Sequence, residues 1–91
     1  MIVSFRHKGL RLLFEDDDGR KLKADPLDRL RLILSPLTMA EAIEDMQQPT
    51  FRLHPLKGDR KGRWAVTVRA RRVTFRFADG QAHDVDVEDY H

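Results

Sequence analysis

Cysteine is absent from the chain and carboxylates are common throughout it, so its four histidines are the most informative titratable groups. The histidines lie at 7, 54, 83 and 91. No two of them stand at the i, i+4 spacing of a helical metal pair, which argues against a zinc site. Asp84, Asp86 and Glu88 alternate along one segment and project to one strand face with His91 beyond them, the one metal-like arrangement. Cross-strand pairing with Arg72 and Arg76 is the simpler account of those acids. His54 stands in Leu53-His54-Pro55-Leu56-Lys57-Gly58-Asp59, where proline and glycine restrict the backbone and would aim the imidazole. A lone histidine beside apolar neighbours is ordinarily a hydrogen-bonded, partly buried residue, and His91, at the chain terminus, is ordinarily frayed. Tyr90 offers the tail an aromatic anchor.

If His54 and His91 converge, the chemistry that suits them is RNA cleavage without a metal. A base removes the ribose 2′-OH proton, an acid protonates the leaving 5′ oxygen, and cations stabilise the pentacovalent phosphorane. Imidazole, with an unperturbed pKa near 6.5, performs either proton transfer at neutral pH. Arg72 would grip phosphate oxygens in bidentate fashion, Lys57 would act as a point charge, and Tyr90 would stack on a base or hold the nucleophile.

These residues need a scaffold that 91 residues can build, which implies a single domain over 1–91. A charged fraction of 35% beside 41% hydrophobic residues excludes both a disordered tail and a membrane segment. The longest apolar runs, such as Leu32-Ile33-Leu34, fall far short of the roughly 20 residues that span a bilayer. With no signal peptide and no cysteine, a cytoplasmic location follows as an expectation. The net charge of +2 conceals a strong segregation. Between Phe51 and Phe77 nine residues are basic, including Lys57, Arg69, Arg71 and Arg72, and only Asp59 is acidic. Such a segment suits phosphate binding, and equally suits a solvated strand face paired with the acidic blocks elsewhere.

The elements follow from periodicity. Ile2–Phe5 reads as a strand, and Leu10, Leu13 and Phe14 mark a helix that the run Glu15–Asp18 and Gly19 should stop. Asp25 as N-cap and Pro26 at the first position should open a second helix with Leu27, Leu30, Ile33, Leu34 and Leu37 buried. Pro36 should break it, and the capping box Thr38-x-x-Glu41 should start a third helix through Ile43 and Met46. From residue 50 the period becomes two. Phe51–Leu53, Trp64–Val68, Val73–Phe77 and Gln81–Glu88 read as strands, with a poor turn near Ala70-Arg71 and a good one at Asp79-Gly80. The expected fold is α+β: an antiparallel sheet of about four to five strands with two to three helices on one face.

At this point three segments together resemble the HigB branch of the RelE/ParE toxin superfamily. They are Ser4-Phe5-Arg6-His7-Lys8-Gly9-Leu10, Arg52–Asp59 with Gly62-x-Trp64, and Asp84–His91. The match runs almost end to end, and His-Pro-Leu-Lys-Gly with a terminal Asp-Tyr-His is its specific part. The resemblance implies a RelE-like, microbial-ribonuclease-like fold and a toxin that cuts messenger RNA as it is translated in the ribosomal A site, with no cofactor. Its implied partners are the ribosome and mRNA, together with a HigA-like helix-turn-helix antitoxin through which alone it would meet operator DNA. No membrane partner is implied. Carried over by position, the functional residues fall on His54, Lys57, Arg72, Asp89, Tyr90 and His91, with Asp89 orienting or sharing protons; Arg69 and Arg71 join Arg72 and Lys57 as candidate RNA-binding cations. HigB-like toxins usually read Asn-Trp-Arg before the aliphatic residue of the penultimate strand. Here Ala70-Arg71-Arg72-Val73 is one residue shorter, keeping Arg72 and replacing the Asn-Trp pair with Arg71. The hairpin must therefore close differently. Two other readings stand beside the first: a gyrase-inhibiting toxin of the ParE type on the same fold, and a catalytically weakened RNA-binding member.

Overall fold

The computed structural model describes residues 1–23 and 25–89. Tyr90 and His91 lie outside the described residues. Helix α1 (Lys8–Asp16) begins where the ring Nδ1 of His7 accepts the Leu10 N–H at 3.3 Å, so this histidine is used as an N-cap. It ends at Asp17, which takes the left-handed conformation (φ +53°) and returns its N–H to the Leu12 carbonyl. The expected glycine stop lies two residues further on and serves packing instead: a Cβ on Gly19 would come within 2.5 Å of Leu27 Cδ1.

Helix α2 (Leu27–Met39) corrects three expectations. Pro26, not Asp25, occupies the cap position, and no side chain caps it; Asp25 instead faces Arg71, Oδ1 to Nη1 at 3.3 Å. The helix also runs through Pro36 without breaking. A proline in a helix interior costs about 3 kcal/mol. Against this, Leu30, Ile33, Leu34 and Leu37 form one buried stripe on both sides of it, each side chain contributing roughly 1.5–3 kcal/mol. The stripe outweighs the missing hydrogen bond. Thr38 consequently lies inside α2 and starts nothing; its Oγ1 accepts the Ile2 N–H at 3.4 Å. In place of a third α-helix there is one 3₁₀ turn, Ile43–Met46. The Asp45 carboxylate caps it by accepting from Glu41 N and Ala42 N at 2.9 and 3.2 Å, and these bonds hold its pKa below the usual range.

The sheet is four-stranded and antiparallel in the order β1 (His54–Pro55), β2 (Arg63–Val68), β3 (Arg71–Ala78), β4 (Gln81–Asp89). The strand expected at Phe51–Leu53 is absent. Pro49–Phe51 forms a 3₁₀ turn that buries Phe51, Arg52 reverses the backbone at φ +51°, and pairing begins only at His54. The N-terminal segment lies alongside β4 through two isolated parallel bridges, Ile2 with Ala82 and Phe5 with Val85. Between them Asp84 adopts φ +52°, its N–H donating to the Ser4 hydroxyl at 2.8 Å, next to the irregularity in the β3–β4 register.

Asp79 and Gly80 close β3–β4 with φ of +53° and +74°, the paired positive angles of a type I′ turn. The weaker turn is Arg69-Ala70, linking Val68 to its partner Arg71, and here Arg69 takes φ +55° without a glycine to ease it. The core lies between the helices and one sheet face, where Leu10, Leu13, Leu30, Leu34 and Leu37 meet Val66, Val68, Val73, Phe75, Val85 and Val87.

Candidate active site

Directly opposed residues of antiparallel strands project to the same side, so the register assigns the face opposite the helical core. One row across it is His54, Ala65, Thr74, Asp86; the next is Thr67, Arg72, Glu88. The fold thus places His54 and Arg72 on one polar surface, although they stand 18 positions apart in sequence.

His54 is half-buried, and its Nδ1 lies 2.8 Å from the carbonyl oxygen of Arg52. A carbonyl only accepts, so Nδ1 carries the hydrogen and the neutral ring bears its lone pair on Nε2. Arg52 can offer that carbonyl because its left-handed conformation turns the chain just before β1.

Arg72 is fixed by Glu88, donating from Nε to Oε1 at 3.0 Å with Nη2 at 2.8 Å from the same oxygen. Arg60, from the 3₁₀ turn Gly58–Arg60 between β1 and β2, donates both terminal nitrogens to the same carboxylate, Nη2 reaching Oε2 at 2.8 Å. The Arg60 hydrogen bond, supported by Arg72, holds the Glu88 carboxyl below the usual range against the opposing effect of burial. Beneath this loop Arg63 is only 8% exposed. Its Nη2 donates to Thr74 Oγ1 at 3.1 Å and to the Asp84 carbonyl at 2.8 Å. Burial, then repulsion from Arg6 and Arg60, lowers its pKa.

Arg60 and Arg63 belong to this surface and were not among the site residues that the sequence nominated, whereas Glu88 takes up the cross-strand pairing with Arg72 expected of it. The alternation Arg63, Ala65, Thr67 does carry a signal for Arg63. The bond between Arg60 and Glu88 spans 28 positions and has no local signature. Lys57 is exposed on the same loop, at the rim of an open pocket of about 380 Å³ whose walls include Leu56, Lys61 and Trp64. Gly58 and Gly62 shape that loop with φ of +67° and +96°.

The remaining nominated residues lie elsewhere. Arg71 and Asp89 oppose each other in the register one step from Arg72 and Glu88, and so project to the helix side of the sheet. There Arg71 forms charge contacts with Asp89 at 3.4 Å and Asp25 at 3.3 Å, tying the hairpin to the start of α2. Arg69 is exposed at the hairpin tip. Among the described residues no three His, Asp or Glu side chains converge as metal ligands.

Comparison with known proteins agrees with this architecture. The chain matches the family model described as the RelE-like toxin of the type II toxin-antitoxin system HigB over residues 3–91. It is also similar to Endoribonuclease HigB of Proteus vulgaris, 46% identical over 92 residues that take in the whole of both chains. A type II toxin has an antitoxin as its partner. The chain belongs to the HigB-like toxins, RelE-like members of type II toxin–antitoxin systems.

Proposed function

We propose that the protein is an endoribonuclease that cuts mRNA as it is translated, in the ribosomal A site, by attack of the 2′-OH on the scissile phosphate. The observation that carries this reading is the placement of His54: its ring is tautomerically fixed by the Arg52 carbonyl and shares a surface with Arg72. The relative from Proteus vulgaris is named an endoribonuclease, which supports it. His54 and His91 form the acid/base pair. One removes the 2′-OH proton, the other protonates the departing 5′ oxygen, and the products are a 2′,3′-cyclic phosphate and a 5′-hydroxyl. Asp89 orients or shares protons, and Tyr90 stacks on a base. Arg72 and Lys57 hold the phosphate and stabilise the charge that grows on it. Arg69, exposed at the hairpin tip, contacts flanking RNA, whereas the contacts of Arg71 with Asp25 and Asp89 assign it a supporting role.

The protein acts in the cytoplasm as one domain, and its antitoxin is a HigA-like helix-turn-helix protein that alone carries the pair to operator DNA. Induction of wild type, His54→Ala and His91→Ala, with 5′ ends mapped on translated and untranslated messages, tests the reading. New ends are expected in translated messages with wild type alone. Growth arrest with intact messages and accumulating DNA breaks would instead show a gyrase-directed toxin.

A further inference from the structure

On the polar sheet face a single carboxylate is shared by two guanidinium groups from different elements. Arg60 meets Glu88 end-on through both terminal nitrogens, and Arg72 meets it side-on through Nε and Nη2. The three side chains are only 32%, 24% and 18% exposed for Arg60, Glu88 and Arg72, so this is not a solvated surface pair of negligible effect. Glu88 joins three segments at one point: the β1–β2 loop, which carries Lys57 three residues before Arg60, strand β3, and strand β4 leading to the tail.

We infer that Glu88 is a positioning residue for the phosphate site, holding Arg72 in one rotamer and strapping the Lys57–Arg60 loop over the sheet face. The inference rests on the ribonuclease reading above. Arginine and lysine side chains lose much rotamer freedom when they engage a phosphate, and a group that immobilises them beforehand moves that loss out of the catalytic step. Glu88 also places a negative charge between the cations that attract RNA. Replacing it with the isosteric glutamine therefore has two opposite effects. RNA is attracted more strongly, because a neutralising charge is gone, while turnover falls, because Arg72 and the loop are no longer aimed. A role confined to folding gives no such split; it lowers the active fraction and leaves the KM of the remainder unchanged.

The test compares wild type, Glu88→Gln and Glu88→Asp on ribosomes programmed with a defined message, alongside the arginine Nε–H and backbone amide NMR spectra of the RNA-free proteins. For Glu88→Gln, kcat falls about 10- to 100-fold while KM decreases. Glu88→Asp, which keeps the charge, recovers part of kcat. The Arg72 Nε–H resonance moves in the glutamine variant while the backbone spectrum away from β4 and the β1–β2 loop stays in place. Unchanged kcat in Glu88→Gln, a kcat loss with KM unchanged or raised, or a general collapse of the amide spectrum overturns the inference. If the active wild type is matched by an equally active variant, only this inference fails; if wild type itself leaves the message intact, the ribonuclease reading fails and takes this one with it.

Discussion

The side chain of His54 is bonded to the backbone of Arg52, two residues before it, at 2.8 Å from Nδ1 to the carbonyl oxygen. This short-range contact fixes the tautomer of a histidine that shares the polar sheet face with Arg72. It predicts that His54→Ala removes a proton-transfer group and lowers kcat by about 10²- to 10⁴-fold. KM for programmed ribosomes should change little, since Nε2 acts in the transition state more than in binding. Steady-state cleavage rates measure both.

Arg72 is expected to resist conservative replacement. Lysine keeps the charge but not the planar fork that grips Glu88 and phosphate oxygens together. Arg72→Lys should therefore lose most of the activity that Arg72→Ala loses, and a lysine variant with wild-type kcat would show that only the charge at this position matters.

The strap at Glu88 has a definite pH signature. Its carboxyl is held below its ordinary value of 4.5, first by the hydrogen bond from Arg60. A depressed folded-state pKa means that the contribution to stability is present in full above the ordinary value and is lost as pH falls through the folded one. The difference in Tm between wild type and Glu88→Gln should thus be constant from neutral pH down to about 5 and shrink below 4.5. A difference that grows on acidification contradicts the assignment.

Helix α2 offers a test of the fold itself. Because the helix already runs through Pro36, Pro36→Ala restores a backbone donor without rearrangement and should raise stability, by up to about 3 kcal/mol. Leu37→Ala, at a fully buried position just beyond it, should cost about 2–5 kcal/mol. Denaturant unfolding of both variants decides; a destabilising Pro36→Ala would mean that the proline shapes the helix in a way the buried stripe does not explain.

How far the sequence discloses this molecule depends on the range of the interactions involved. Strands β2, β3 and β4 are written locally as period-two alternation, and Asp79-Gly80 is read directly as a turn because two adjacent residues tolerate positive φ. The break expected at Pro36 fails because local propensity was overridden by a stripe buried against the sheet. Asp25 and Thr38 look like caps, yet their polar groups are drawn to Arg71 and to Ile2 N, partners that only the tertiary fold supplies. The site divides in the same way. His54 and Arg72 stand out by residue type and by resemblance to the family, whereas Arg60 and Glu88 become neighbours only when a loop folds back over the sheet.

The most direct test of the account uses purified protein, ribosomes and a short message occupying the A site, with the scissile nucleotide carrying either a 2′-hydroxyl or a 2′-hydrogen. The account predicts that wild type cuts the hydroxyl message and leaves a 2′,3′-cyclic phosphate, that the deoxy message survives, and that His54→Ala cuts the hydroxyl message about 10²- to 10⁴-fold more slowly. Cleavage of the deoxy message, or an unbroken hydroxyl message after incubation with wild type, would contradict it.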